Sequence, residues 1–309
     1  MKLVLASGLV MISFAALVAQ QPDLPPLRVF GAATVIELAP VLAAANGIYP
    51  GPVTVGNGGV PTLTSGEADV ATNAETQLLR QSVIDPDLRI ILTVTENFYR
   101  VVARKSAGIK TVADLKGKRI AVPRNTSAHY FLYKTLTKAK LTEDDITIAP
   151  IADMVNAFKE GKIDAVAMWD PEPARVIMEV PNDTIVLQDK SVYREVFNLN
   201  TSAKVIADPG KRRAVVEFLR AILTATDRIK ARPQSVWPLV SAKMNFPVPL
   251  LEKSWPELQF PKRIVPDMLD VLEEEDKWVA KERSRAPRTR AQLAGLIDDS
   301  LLKEAQKPR

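Results

Sequence analysis

The chain has 309 residues, of which 47% are hydrophobic and 25% are charged, values typical of a folded globular protein rather than a disordered one. The formal net charge is +5, but 41 basic residues stand against 36 acidic ones and no basic stripe is interleaved with aromatic residues, so no nucleic-acid partner is expected. Cysteine is absent, which excludes disulfides, thiolate catalysis and cysteine-bound zinc or iron–sulfur clusters.

The amino terminus is strongly apolar. Lys2 is followed by an almost uninterrupted apolar run that ends in small residues, and a polar, proline-rich segment follows at 20–26. This pattern is typical of a secretory signal peptide, so residues 1–19 are predicted to be removed by cleavage near Ala19. A retained membrane anchor is the alternative, since about 17 apolar residues is the lower limit for a membrane-spanning helix.

The next part of the chain alternates apolar strands with amphipathic helices. The predicted strands are 27–30, 53–55 and 88–94, and the predicted helices are 36–45 and 62–66. Residues 67–79 repeat the transition from strand to helix, with Asn73 at the entrance of the helix. Strands that alternate with helices predict crossover connections and a mostly parallel sheet, which is the α/β fold class.

A second series of strands and helices begins with a predicted strand at 99–103, which is followed by a polar break at 104–108. Its predicted strands are 99–103, 119–122, 146–149, 164–168 and 184–187, and its predicted helices are 127–139, 152–160 and 171–178. A further strand at 198–205 is expected to return the chain to the first series. Beyond Pro209 the pattern is helical, and the basic cluster at 284–290 is predicted to be a solvated loop.

Four stretches carry a family resemblance. They are 64–72 (TSGEADVAT), 114–132 (DLKGKRIAVPRNTSAHYFL), 141–146 (LTEDDI) and 157–171 (AFKEGKIDAVAMWDP). In this order and at this spacing the chain resembles the substrate-binding proteins of ABC importers, in the nitrate, sulfonate, taurine and bicarbonate group. The helical tail is similar in length and pattern, so the resemblance covers most of the chain after the apolar run.

The resemblance implies a periplasmic-binding-protein fold of the second type, in which two α/β lobes joined by two hinge crossings close on a small molecule. We expect lobe 1 at 27–98 and 200–309, which includes the helical C-terminal tail, and lobe 2 at 99–199. It also implies a periplasmic or secreted monomer that binds a small-molecule solute and meets the membrane only through an ABC permease and its ATPase. No cofactor, metal or enzymatic activity is expected.

The candidate binding residues stand where strands lead into helices, at the edge where open α/β sheets bind ligands. In the second series Asn125, Thr126 and Ser127 precede a helix, where their side chains could cap free backbone amides. Alternatively, this helix start holds an anionic head group, as aligned peptide dipoles favour. The corresponding candidates in the first series are Asn73 with Ala74, and Thr34 with Val35.

Four further residues complete the candidate site. Trp169 follows a buried strand and is interpreted as one wall of the site or as core filler. Asp170 either binds a ligand amine or caps the next helix. His129 is the only histidine and cannot build a metal site alone, so it contributes a hydrogen bond at the cleft rim or lies on the surface. Arg124 is the cation nearest to the proposed anion pocket.

Three function classes remain open from the sequence. The first is a solute-binding protein of an importer that takes a small anionic or sulfonate-like solute. The second is a pyrimidine-precursor binding protein or enzyme on the same fold, such as the pyrimidine synthase of thiamine biosynthesis. That enzyme is associated with a cysteine-rich segment, whereas this chain has no cysteine. The third is a secreted sensory protein.

Overall fold

The computed structural model describes residues 23–31, 35–149 and 152–308. The predicted signal peptide at 1–19 and the candidate Thr34 lie outside these residues. None of the helices in the described part of the chain combines the length and the apolar character that crossing a bilayer requires.

The described residues form alternating strands and helices, and helices dominate after the last long strand. The strands are β1 (Leu27–Gly31), β2 (Val53–Asn57), β3 (Val70–Ala74), β4 (Leu88–Asn97), β5 (Arg100–Arg104), β6 (Arg119–Ala121), β7 (Thr147–Ala149), β8 (Ala165–Met168), β9 (Thr184–Leu187), β10 (Glu195–Ser202) and β11 (Leu258–Gln259). The helices are α1 (Ala39–Ala45), α2 (Pro61–Thr64), α3 (Glu75–Gln81), α4 (Ser127–Lys138), α5 (Met154–Lys159), α6 (Glu172–Glu179), α7 (Ala203–Ala207), α8 (Pro209–Ala231), α9 (Trp237–Met244), α10 (Val248–Ser254), α11 (Met268–Glu282), α12 (Arg290–Ala294) and α13 (Ser300–Ala305).

The strands form two separate sheets. The first has the order β11-β4-β10-β3-β1-β2, and the second has the order β7-β6-β8-β5-β9. β1 runs parallel to β2 and β3, whereas β10 runs antiparallel to β3 and β4. The chain passes from the first sheet to the second between β4 and β5, and it returns between β9 and β10. The predicted two-lobed α/β fold with two crossings and a helical tail is therefore confirmed.

The two crossings lie side by side because their strands pair. Glu195, the first residue of β10, is the ladder partner of Asn97, the last residue of β4. The predicted return strand at 198–205 starts and ends too late, since the chain is already helical at Ala203. The hydroxyl of Ser202 accepts a hydrogen bond from the Val205 amide at 3.3 Å and so begins α7. The apolar residues after Ser202 therefore belong to a helix.

The long helix α8 covers the first sheet with its apolar face. Its side chains at Val215, Phe218, Leu219 and Ile222 are almost fully buried, which confirms the stripe that the sequence predicts. Each such side chain contributes about 1.5–3 kcal/mol when it leaves water. The packing of α8 thus fixes the helical tail on the first sheet.

The basic cluster at 284–290 is mostly exposed and forms a loop up to α12, as predicted, but two of its arginines are anchored to the protein. Asp276 of α11 has no exposed surface and accepts hydrogen bonds from the side chains of Arg285 and Arg288. Arg288 also donates to the backbone carbonyl of Leu79 in α3 at 3.0 Å. The sequence did not reveal this anchoring, because the acidic partner of the two arginines lies in α11.

Candidate functional site

The candidate residues of the first sheet lie at the end of β3 rather than in a helix. Asn73 and Ala74 are strand residues, and α3 begins one residue later, at Glu75. The Asn73 carboxamide oxygen accepts a hydrogen bond from the backbone amide of Val60 at 2.7 Å, which ties β3 to the turn before α2. Val35 is buried and stands directly before a 3-10 turn at Ile36–Leu38.

The Asn73 side chain leaves no room for a Cβ atom at residue 59, which is a glycine. A Cβ atom at residue 59 would lie 2.1 Å from the Asn73 Oδ1 atom, well inside contact distance. We expect Gly59→Ala to displace this carboxamide and to lower the free energy of unfolding by about 1–3 kcal/mol, as overpacking does. Thermal unfolding followed by circular dichroism measures the change.

Gly210→Ala is the matched control for this prediction. The nearest atom to a Cβ at residue 210 is 3.3 Å away and belongs to a side chain, so Tm should change little. Equal Tm values for Gly59→Ala and the unsubstituted chain would contradict the close approach.

The start of α4 brings the second group of candidates together. Thr126 occupies the N-cap position, but its hydroxyl donates to the Pro123 carbonyl at 2.7 Å, and no side chain of the described residues caps the helix there. Asn125 has a φ of 64°, and its carbonyl accepts a hydrogen bond from the Gln77 side chain at 2.9 Å. The first-turn amides of α4 therefore have no side-chain cap among the described residues, although Ser127, Ala128 and His129 are buried, and the turn before them touches α3.

Ser127 is turned toward the crossings rather than toward solvent. Its side chain is 3% exposed, and its Oγ atom lies 3.0 Å from the hydroxyl of Tyr99. The Ser127 hydroxyl also donates to a carboxyl oxygen of Glu195 at 3.4 Å. Tyr99 stands between β4 and β5, and Glu195 begins β10. Ser127 thus connects the start of α4 with both crossings.

His129 is buried, so its interpretation as a surface residue is wrong. Only 1% of its surface is exposed, its Nδ1 atom accepts from the Asn125 amide at 3.2 Å, and its Nε2 atom lies 3.0 Å from Glu143. The hydrogen bond from His129 lowers the pKa of the Glu143 carboxyl. Arg124 is exposed and lies 3.7 Å from the same carboxylate. His129 and Arg124 therefore share one acidic partner.

Trp169 and Asp170 directly follow β8. The Trp169 ring is half-buried, packs against both large apolar clusters and lies 6.3 Å from the Tyr99 ring. Asp170 is buried and pairs with Arg100 at 2.8 Å. Its carboxylate also accepts from the Ser254 hydroxyl at 2.9 Å and from the Ala174 amide in the first turn of α6. The Asp170 carboxylate is thus engaged both by an amide in the first turn of α6 and by the buried ion pair with Arg100.

Sequence reasoning missed a buried pair of glutamates at the crossings. Glu37 in the 3-10 turn before α1 is 1% exposed and accepts a hydrogen bond from the Asn97 carboxamide. Its carboxylate also receives a hydrogen bond from the carboxyl group of Glu195. Burial raises the pKa of Glu37 to about 7 and holds the pKa of Glu195 well above its usual range, so Glu195 donates the shared proton.

A second buried pair lies next to the first. Glu75, the first residue of α3, accepts from the Tyr193 hydroxyl and from the Val196 amide, and it pairs with Glu275 of α11. Burial and the neighbouring Glu75 charge raise the pKa of Glu275 well above its usual value. The sequence feature that could have pointed to these glutamates is an acidic residue within an apolar run, as at 35–38. That feature does not reveal which distant acid completes each pair.

The structure therefore places Ser127, Trp169 and Asp170 beside the first crossing, through Tyr99 and Arg100, whereas Arg124 pairs with Glu143 and Asn73 bonds to the turn before α2. Within the part of the chain that it describes, no group of three or more His, Asp or Glu residues is arranged to hold a metal ion. What is present is a helix start without a side-chain cap, an indole beside the Tyr99 ring and two buried acid pairs. This arrangement suits the binding of a polar small molecule.

Comparison with known proteins identifies the family of the chain. A family model described as "NMT1/THI5 like" matches residues 54–236, which is more than half of the chain. A protein of Escherichia coli strain K12 named for binding aliphatic sulfonates is 30% identical over 155 residues, which cover 49% of this chain and 47% of that protein. The chain thus spans about half the length of this curated relative.

Solved structures share the fold. The periplasmic aliphatic sulphonate binding protein SsuA from Escherichia coli superposes with a TM-score of 0.72 at 19% identity, covering 86% of this chain and 91% of that chain. The desulfurization enzyme DSZB superposes with a TM-score of 0.64 at 14% identity, covering 91% of this chain and 98% of that chain. At these identities the likeness concerns the fold, which serves both a binding protein and an enzyme.

Proposed function

We propose, because the chain belongs to the NMT1/THI5-like family, that it is the extracytoplasmic solute-binding protein of an ABC importer. In this proposal it captures a small anionic, sulfonate-like solute in the cleft between its lobes and delivers it to a permease and its ATPase. The sulfonate-binding name of the Escherichia coli relative supports this solute class, and the fold that the chain shares with SsuA supports the mode of capture.

The proposed lobes follow the two sheets except at 195–199, since these first residues of β10 pair in the first sheet although they fall in the range expected for lobe 2. Lobe 1 comprises 27–98 and 200–309, lobe 2 comprises 99–199, and the hinge lies where the chain crosses between the sheets. Closure about two adjacent strands is a hinge motion in which a few residues at element ends absorb the change in backbone angles. The pairing of Glu195 with Asn97 supports such a hinge, because both crossings then bend at one place.

One observation carries the proposal. Side chains from separate elements of lobe 2 converge on the hinge, since Trp169 lies beside the Tyr99 ring and Ser127 bonds to the Tyr99 hydroxyl. The start of α4 thus faces the same region as the indole. Its uncapped first-turn amides suit the oxygens of an anionic head group, and the indole suits the apolar part of a solute.

The experiment that tests this function is a thermal-shift screen. The panel contains short alkanesulfonates, nitrate, short carboxylates and an aminopyrimidine. A solute that binds only the folded protein raises Tm in line with RT ln(1 + [L]/Kd). We expect an alkanesulfonate to give a saturable rise. A flat response to every anion in the panel would refute the proposed solute class.

Trp169→Ala is expected to weaken binding of the best solute at least several-fold, because the indole wall is lost. Titration calorimetry measures this change, and circular dichroism checks that the variant is folded. Trp237→Ala is the matched control, since Trp237 of α9 is also half-buried but packs on Trp255 in the helical tail. If both variants bound the solute as tightly as the unsubstituted chain, Trp169 would not belong to the site.

The buried acids favour one alternative solute. Glu37 and Asp170 interact electrostatically beside the aromatic wall, and carboxyl groups accept hydrogen bonds from amino groups. A pyrimidine precursor with an exocyclic amino group would use them. A rise in Tm with the aminopyrimidine alone would support this alternative against the sulfonate.

A further inference from the structure

We propose that Glu195 is a positioning residue for solute capture: it holds the start of α4 against the hinge, and it thereby sets the affinity of the cleft for its solute. This inference rests on the proposed function, because it assumes that the cleft captures a solute. The link between Glu195 and α4 can be tested separately from solute binding.

The first step of the argument is the place of Glu195 in the chain. It is the first residue of β10, the strand that carries the chain back into the first sheet, and it is 4% exposed. Its ladder partner, Asn97, ends the strand that leaves the first sheet. The Glu195 side chain therefore lies where both crossings meet the first sheet. A movement of either lobe about the hinge would change its surroundings.

The second step is its contact with lobe 2. A carboxyl oxygen of Glu195 lies 3.4 Å from the Oγ atom of Ser127, and the Tyr99 hydroxyl is also within hydrogen-bonding range of the carboxyl group. Tyr99 in turn lies 3.0 Å from Ser127. Three polar groups from β10, the first crossing and α4 thus form one cluster. This cluster holds Ser127, the first residue of α4, in place.

The third step is a matching connection in lobe 1. Glu75, the first residue of α3, accepts hydrogen bonds from the Val196 amide and the Tyr193 hydroxyl, both beside Glu195 in the chain. The Tyr99 and Tyr193 rings meet edge to face at 5.3 Å. The first residues of α3 and α4 are therefore both bonded to the hinge. A change at Glu195 reaches the helix starts of both lobes.

The fourth step concerns the charge of Glu195. The titratable groups that face it are Glu37 from the 3-10 turn, Glu75 from α3, Tyr99 from the first crossing, Tyr193 from the loop before β10, and Glu275 from α11 behind Glu75. None of them is a cation. Burial and these acids hold the pKa of Glu195 well above its usual value, so its carboxyl group is neutral at neutral pH and can donate to Glu37.

A neutral carboxyl group can be imitated by an amide, which provides the test. Glutamine at residue 195 still donates to Glu37 and still accepts from the hydroxyls of Ser127 and Tyr99, whereas alanine does neither. We expect Glu195→Ala to weaken binding of the best alkanesulfonate at least tenfold. Glu195→Gln should bind within about threefold of the unsubstituted chain. Glu179→Gln, which removes an exposed acid of α6 that pairs with Lys159, is the control for surface charge.

The pH profile separates positioning from a merely structural role. Ionisation of Glu195 at alkaline pH places a second negative charge beside Glu37, so affinity of the unsubstituted chain should fall there. Residue 195 cannot ionise in Glu195→Gln, so the affinity of this variant should fall less over the same range, although Glu37 and Glu275 still titrate in it. Identical pH profiles for the two proteins would overturn the inference. If Glu195→Ala does not fold, this comparison with Glu195→Gln decides the matter.

Hydrogen exchange tests the link without any solute. We expect faster exchange of the first hydrogen-bonded amides of α4, beginning with Tyr130, whose amide donates to the Thr126 carbonyl at 3.1 Å, in Glu195→Ala than in Glu195→Gln, with unchanged exchange in α5. Equal exchange at the start of α4 in both variants would refute the positioning role even if a solute binds. If no solute of the panel binds the unsubstituted chain, the proposed function fails, whereas the exchange result still decides whether Glu195 holds α4.

Discussion

Replacing Asp276 with alanine is expected to lower the free energy of unfolding by about 3 kcal/mol, the lower end of the cost of removing one partner from a buried ion pair. Asp276 has no exposed surface, and Arg285 and Arg288 both bond to it. Burial alone would raise the pKa of Asp276, but the hydrogen bonds from the two arginines lower it, so the group is ionised at neutral pH. Without it, two mostly buried guanidinium groups lose their counter-charge.

This prediction is checked by chemical denaturation followed by tryptophan fluorescence. The matched control is Asp270→Ala in the same helix, because Asp270 pairs with Arg290 while its side chain is 67% exposed. Exposed pairs of this kind contribute about 0–1 kcal/mol. A loss for Asp276→Ala no larger than the loss for Asp270→Ala would show that the loop at 283–289 does not need its buried carboxylate.

The second prediction concerns pH and Glu37. The native chain keeps the proton of Glu37 up to a pKa of about 7, whereas the ordinary value for this carboxyl group is 4.5. Between these values the native state binds more protons than the unfolded state. The free energy of unfolding therefore falls as pH rises, by up to about 1.4 kcal/mol per pH unit. This contribution is fully present below pH 4.5 and is lost as pH passes 7.

Glu37→Gln is expected to remove this dependence. Glutamine keeps a hydrogen-bond acceptor for Asn97 and cannot ionise, so the difference in stability between the variant and the unsubstituted chain should change with pH over this window. Denaturation curves at a series of pH values measure that difference. Buried acids whose pKa is lowered, such as Asp276, act in the opposite direction in both proteins and cancel in the comparison. Parallel stability curves would contradict the buried proton.

The order of strands and helices could be predicted from local pattern, because periodic apolar residues report which face of an element is buried. The stripe on α8 is the clearest case, since four of its side chains are almost fully buried as expected. Boundaries were less predictable. α3 begins at Glu75 rather than at Asn73, because Asn73 stays in the β3 ladder opposite Asn198. A single sequence does not show how far a strand partner extends.

The candidate site was also only partly predictable from the sequence. Residues beside strand ends, such as Ser127 and Trp169, could be chosen because parallel strands place their carboxyl ends at one edge of a sheet. The residues that contact them in the structure could not be chosen in this way. Ser127 meets Glu195, which is 68 positions away, and Glu75 meets Val196 across 121 positions. No local pattern specifies contacts at such separations.

The sequence by itself determined that this chain is an α/β protein of two strand series with a helical tail and no cysteine chemistry, and its four motifs indicated the family. These properties follow from short-range periodicity, composition and residue order. Only the tertiary structure decided that four glutamates meet in two buried pairs at the crossings and that Asp276 binds the basic segment. A carboxyl group is buried with its proton, or as an ion, according to the distant groups that fold around it.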